Sequence, residues 1–176
     1  MNQTAGFPVF LFETERLRVE EVGTCLAEDY LKPLLQRAVD LLSPAVVAAL
    51  PQYFQGITTL KHAEQWFKQV CLASRLLVVT STKHQHIIGF IFIYEDGSGS
   101  AHIGYLLGEE YWRQGLAFEL LRGLVAWASQ HCNFTRLLAG VEVDNMASKK
   151  LLTKLGFQRQ PPVVGASNEF YQYSLS

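Results

Sequence analysis

The stretch EEYWRQGLAFELLRGLVAWA, residues 109–128, sets a polar and aromatic turn directly against a strongly amphipathic helix pattern. Gly115 and Ala117 stand at the mouth of that helix, and its first turn reads as free of acidic side chains. The leading N–H groups of a helix have no intrahelical acceptor and carry a partial positive charge. A glycine there lets a bulky anion approach the main chain, and Arg113 adds a full charge. The turn reads as an anion cradle. It is neither the GxGxxG fingerprint of a dinucleotide site nor a GxxxxGK[ST] phosphate loop.

Outward from this stretch the hydrophobic period alternates between two and about 3.6, which separates strands from helices. Residues 15–22, with Leu17 and Val19 inward and Glu21 continuing the series, predict a half-buried first strand. Residues 25–50 are helical in pattern but interrupted at Pro33 and Pro44, with Pro51 just beyond, which predicts two or more short helices. Residues 59–74 predict a helix capped by Thr59. Residues 76–82 and 87–94 form a hairpin across KHQH, and a second turn at 95–100 leads to a strand over 101–108. A helix over 116–131, a strand over 135–143, a helix from Asn145 stopped by Gly156 and a strand over 169–175 complete the series. Hairpins followed by strand–helix–strand–helix predict an α/β fold, a mixed sheet with helices on both faces.

The 176 residues fit a single domain, residues 1–176, with room for a sizeable core. Hydrophobic residues make up 49% and charged residues 18%, as in a folded protein, and the net charge of -1 argues against nucleic acid as a partner. Cys25, Cys71 and Cys132 are odd in number and lack a CxxC pair, so they read as reduced, mostly buried thiols. No signal-peptide pattern and no apolar run long enough for a membrane are apparent, which predicts a soluble, cytoplasmic protein. His84 and His86 form an HxH pair without a third ligand at suitable spacing, so they read as exposed loop and no metal is expected.

Downstream, N145-M-A-S148-K-K-L-L-T-K-L-G156-F157 follows a strand. Asn145 reads as a helix cap, and Ser148 sits one turn in, on a face turned back towards the strand ends. A plain N-cap and an exposed helix residue are the alternatives for these two. Four segments taken in order are TERLRVEEV, IIGFIFIY, IGYLLGEEYWRQGLAFELL and NMASKKLLTKLGF. Together, over residues 13–175, they resemble the GNAT superfamily of N-acetyltransferases, and more closely its branch acetylating the N-termini of ribosomal proteins.

The resemblance implies a splayed central mixed sheet and acetyl-CoA as cosubstrate. The family's Q/R-x-x-G-x-G/A signature, which holds the CoA pyrophosphate on backbone amides, falls on Trp112, Arg113, Gln114, Gly115, Leu116 and Ala117. Trp112 stands where the family has Gln or Arg, a departure that amide binding tolerates. The resemblance further implies that the strand over 101–108 breaks regular pairing near Leu106 and Leu107. The pantetheine arm then adds alongside, and the Leu107 N–H polarises the thioester carbonyl. Asn145 and Ser148 face the thiol end, with Ser148 as the proton donor to the leaving thiolate or simply a cofactor contact. The acid Tyr common in the family, seven residues after the Asn, is replaced by Leu152. His102 stands where relatives carry Glu, making it a candidate general base. Glu142 and water are the other candidates, and an exposed histidine beside a turn is the plain reading.

The acceptor implied is a primary amine, either a peptide N-terminus or a small molecule, in a pocket built from residues 25–58. That segment is mostly apolar, which disfavours a highly cationic acceptor. A non-catalytic acyl-CoA-binding or regulatory module on the same fold is the alternative, and a nucleotide-binding domain unrelated to CoA is a third. A homodimer through the final strand is a further expectation.

Overall fold

The computed structural model describes residues 6–162, 165 and 167–175. In chain order its strands are β1 (Val9–Glu13), β2 (Leu17–Val22), β3 (Arg75–Ser81), β4 (Ile87–Glu95), β5 (Ser100–Leu107), β6 (Arg136–Glu142), β7 (Gln158–Arg159) and β8 (Asn168–Ser174). The helices are α1 (Glu28–Leu41), α2 (Pro44–Val47), α3 (Leu60–Ala73), α4 (Leu116–His131) and α5 (Met146–Lys154). The strands form one sheet in the order β1-β2-β3-β4-β5-β6-β8-β7. Neighbouring strands are antiparallel except β5 and β6, which run parallel through the α4 crossover.

Side chains alternate across the strands and divide the core in two. Leu77, Val79, Ile91 and Ile93 pack with Leu120, Leu121 and Leu124 of α4 and Leu152 of α5. Leu76, Val78 and Phe90 face the other way, against Leu34 and Ala38 of α1 and Ala63, Trp66 and Phe67 of α3. The mixed sheet with helices on both faces is therefore the observed architecture. The Thr59 cap also holds, its hydroxyl accepting the His62 N–H at 3.2 Å. Gly156, at φ +93°, takes the left-handed turn that ends the α5 segment.

Several features depart from the sequence reading. Pro33 does not break α1, which runs on through it and buries Leu34, Leu35, Ala38 and Leu41. Burying a leucine yields about 1.5–3 kcal/mol. Three of them outweigh the roughly 3 kcal/mol of an interior proline. Edge strand β1 lacks a polar-apolar alternation to announce it, and its Val9 and Phe10 are exposed. The final strand, β8, is not a free edge: β6 bonds one side along its length and β7 covers Tyr171 and Gln172 on the other. A dimer formed through an open β8 edge loses its basis there. Among the described residues, no helix is long and apolar enough to cross a membrane.

The first turn of α4 does contain an acid. Glu119 is buried, and its carboxylate points away from the helix mouth into the tight turn between β1 and β2. It accepts from the Thr14 hydroxyl at 2.6 Å, the Arg16 main-chain N–H at 2.8 Å and Arg16 Nε at 2.6 Å. Arg16 reaches on to the Gln114 carbonyl at 3.0 Å, so the TER triplet of residues 14–16 braces the turn before α4. Burial pushes the Glu119 carboxyl up, but these hydrogen bonds and the Arg16 charge outweigh it and hold the group below its ordinary range.

A depressed carboxyl contributes stability that is present above its unfolded pKa and lost as pH falls through the folded one. Glu119→Gln is expected to lower stability at pH 7 by about 1–3 kcal/mol, the cost of weakening a buried charged hydrogen-bond cluster. Urea titrations should show the gap between variant and parent closing as the buffer is taken below about pH 4.

Candidate functional site

The turn from Gly108 to α4 is held open by its own side chains. The Trp112 indole N–H donates to the Leu107 carbonyl at 2.8 Å, and the Gln114 side chain donates back to the Glu110 carbonyl at 2.7 Å. The Tyr111 hydroxyl lies 2.6 Å from His86 Nε2, which ties the β3–β4 hairpin to this turn. His86 is therefore a partly buried structural contact and not idle loop, while His84 is exposed and stacks on it. Arg113 and Gly115 both adopt positive φ, +61° and +77°. Gly115 is the N-cap of α4, with no side chain bonded to the helix end.

In consequence the backbone N–H groups of Arg113, Gln114, Gly115, Leu116, Ala117 and Phe118 find no acceptor among the described residues. Glu119, the first to bond within the helix, donates to the Gly115 carbonyl at 3.1 Å. A run of amides in alternating conformations converging on a helix N-terminus is an anion-binding concavity. Arg113 is exposed beside it.

Next to this turn the sheet splits. Strands β5 and β6 pair only at Ser100, Ala101 and His102, with Arg136, Leu137 and Leu138 opposite. Pairing of β5 to β4, in contrast, is regular up to Gly89 and Leu107, so β5 carries no bulge at Leu106 or Leu107. The break is with β6. The Gly108 N–H donates to the Ile88 carbonyl at 2.9 Å, which fixes the alternation along β5. Leu106, opposite Phe90, turns its main chain to β4 and its side chain into the core, so it has no group to offer a ligand. The N–H groups of Leu107 and Tyr105 point instead to the side that β6 has vacated.

Across the gap, the Asn145 side chain caps α5 by accepting the Ser148 N–H at 3.1 Å. Ser148 Oγ accepts the Tyr105 hydroxyl proton at 3.2 Å. Burial pushes the Tyr105 phenol up, with the Ser148 contact pulling the other way, so the phenol stays protonated near neutrality. Ser148 is the acceptor in this pair, so its own hydroxyl proton is not used by Tyr105. Tyr105 went unnoticed in the sequence because only the meeting of β5 with α5 gives it a partner. Leu152 is fully buried and takes no part.

On the opposite face of the sheet lies a cavity of about 610 Å³. Leu50, Tyr53 and Phe54 wall one side, so the 25–58 segment contributes only its C-terminal part. His102 and Gly104 of β5 and Gly140 and Glu142 of β6 form the floor, where a side chain at Gly104 would meet the Phe92 ring and one at Gly140 the Phe170 ring. His102 Nε2 sits 3.5 Å from Asp96 Oδ2. Hydrogen bonds from the Ser98 hydroxyl and N–H hold the Asp96 carboxyl below its usual range. His102 and Glu142 thus line one chamber, with Glu142 four residues beyond Leu138, the β6 partner of His102, while Ser148 and the amide turn lie on the other face. No group of three or more His, Cys, Asp or Glu suited to a metal occurs among the described residues.

Residues 26–158 match the family described as acetyltransferase (GNAT) domain. Over 72 residues the chain is 39% identical to the uncharacterized N-acetyltransferase p20 of Bacillus licheniformis, a match covering 41% of this chain and 40% of that protein. The uncharacterized N-acetyltransferase YjdG of Bacillus subtilis (strain 168) is 26% identical over 156 residues, covering 84% of this chain and 89% of its own. Among solved structures, RimL, a ribosomal L7/L12 alpha-N-protein acetyltransferase in complex with coenzyme A, superposes with a TM-score of 0.75 at 15% identity. That superposition covers 94% of this chain and 98% of RimL and shows a shared fold.

The amide turn makes a test that needs no cosubstrate. In proton–nitrogen NMR spectra, inorganic pyrophosphate should shift the Gly115, Leu116 and Ala117 signals and leave those of His62 and Ala63, at the Thr59-capped end of α3, in place. Unmoved signals at Gly115 would make the turn a structural corner only.

Proposed function

The chain belongs to the GNAT acetyltransferase family, and on that footing we propose that it transfers an acetyl group from acetyl-CoA to a primary amine by direct attack in a ternary complex. The observation that carries this reading is the unpartnered run of amides from Arg113 to Phe118 beside the open edge of β5. A diphosphate seated at Gly115, Leu116 and Ala117 aims the pantetheine arm into the gap, where the arm adds to β5 as a strand would. This places the thioester between β5 and β6, with Asn145 and Ser148 alongside.

The two-sided cleft divides the chemistry. The amine enters from the cavity on the α1–α3 face and must be neutral to attack. An α-amino group, with a pKa of about 8, needs little help, whereas a lysine near 10.4 needs more. His102 accepts the amine proton, directly or through water, with the Asp96 carboxylate at its Nε2 to steady the cation that forms. Glu142 across the same floor is the second candidate. As nitrogen bonds to the acetyl carbon, charge gathers on the carbonyl oxygen, and the Leu107 N–H stabilises it. One such donor is worth about 3 kcal/mol when well placed. The carbon–sulfur bond then breaks, and the thiolate accepts a hydrogen bond from the Ser148 hydroxyl, which Tyr105 holds in place, until water protonates it.

Gly115→Glu should weaken acetyl-CoA binding by about a hundredfold or more, because it adds a negative charge to the turn, sets a side chain against Arg16 and strains the residue at φ +77°. Isothermal titration calorimetry reads this, and unchanged affinity would sink the assignment of the turn. His102→Ala should lower kcat at pH 7 by about 10²–10⁴-fold, the usual range for a lost general base, with the acetyl-CoA dissociation constant held within about twofold. An unchanged kcat would hand the role to Glu142 or water.

A further inference from the structure

The lining of the acceptor cavity is mostly apolar and carries little charge. Tyr53 and Tyr94 stand at its rim, about half exposed, and Phe54 and Phe92 meet edge to face at 5.1 Å below them. Leu50, Val70 and Ala73 extend the apolar wall. The polar lining comes from His102, whose ring lies 6.1 Å from that of Tyr94, from Glu142 and Asn168 on β6 and β8, and from Gln69 and Ser74 at the end of α3. Among the described residues lining this cavity there is no lysine and no arginine, and Glu142 is the one carboxylate.

Each of these facts excludes a class of acceptor. A carboxylate carried into the cavity would give up its hydration with no cation to replace it, and would face Glu142 besides. Free amino acids and acidic small molecules are disfavoured on that ground. A polyamine would find a partner for one of its cationic centres and leave the others against aromatic and aliphatic walls. A small apolar-free amine such as glycinamide would leave the aromatic box filled with water. The volume, about 610 Å³, falls within the ordinary range for sites that enclose a small organic group.

We infer that the acceptor is a primary monoamine carrying an aromatic or bulky aliphatic group next to the nitrogen and a neutral amide in place of a carboxylate. A chain end that begins with such a residue has this chemistry, and so does a free amino-acid amide. The inference rests on the acetyl-transfer reading for what happens to the amine, but the selectivity belongs to the cavity itself. The apolar group lies against Tyr53, Phe54 and Phe92, and the nitrogen points to the split in the sheet.

The test compares kcat/KM for phenylalaninamide, glycinamide, phenylalanine and spermidine with acetyl-CoA, and measures by calorimetry the binding of N-acetylphenylalaninamide and N-acetylphenylalanine. Phenylalaninamide should exceed glycinamide by about tenfold or more and phenylalanine by about thirtyfold or more, the scale of a filled apolar pocket and of an unpaired charge. Tyr53→Ala should shrink the first ratio by about threefold or more, since an exposed rim tyrosine can be removed without touching the core. A Phe-initiated pentapeptide set against phenylalaninamide tells a chain end from a free amide, both of which the inference covers. Equal use of glycinamide, phenylalanine or spermidine would overturn it, as would failure of both N-acetyl compounds to bind when no amine turns over. If N-acetylphenylalaninamide binds in preference to its acid while no amine is acetylated, the selectivity stands and the acetyl-transfer reading falls.

Discussion

Two parallel strands that pair at three positions and then part are the constraint on which the rest depends. Strand β5 can leave β6 because each is fully bonded on its outer side, β5 to β4 and β6 to β8. The sheet therefore stays whole although its middle is open. Main-chain groups facing the gap remain without strand partners, and such groups demand water or a ligand. A gap of this kind is stable only when its rims cannot move together. The α4 crossover, packed through Leu120, Leu121 and Leu124, and α5, anchored by Leu152, hold the rims apart on one face.

The turn before α4 depends on the same frame. Its amides are useful only if nothing within the protein claims them, and the residues around it are arranged to prevent that. Trp112 spends its indole N–H on the strand end, Gln114 folds back on Glu110, and Glu119 is drawn away from the helix mouth by Thr14 and Arg16. Loss of the Thr14 and Arg16 bonds would free the Glu119 carboxylate, an acceptor within the first turn of those amides. The acid in the first turn thus stabilises the corner from behind while leaving its front electropositive.

Much of this was legible in the sequence, since period-two and period-3.6 runs marked β2 to β6, β8, α3, α4 and α5. Turn chemistry marked Thr59, Gly115, Asn145 and Gly156, whose side chains or conformations act locally. What stayed hidden depends on distant partners. Edge strand β1 has apolar residues on both faces, so alternation could not reveal it. Pro33 is tolerated because of burial on a helix face that no local rule weighs. Glu119 looks like a surface acid until residues 14–16 arrive beside it, and Tyr105 gains its role only when α5 brings Ser148 within reach. Leu106 and Leu107 are adjacent and alike in type, yet strand alternation turns one main chain inward and the other to the gap. The candidate site was legible as a set of loops and caps, and illegible as a division between two faces of a sheet.

The tie between Trp112 and Leu107 has an optical consequence. Of the three indoles, Trp66 and Trp127 are buried at 2% and 7% exposure, while Trp112 is 42% exposed. Buried indoles emit to the blue and solvated ones to the red, so long-wavelength emission from the native protein is expected from a single side chain, Trp112. That side chain spans the strand end and the amide corner, which makes the protein's own emission a gauge of how that junction is occupied.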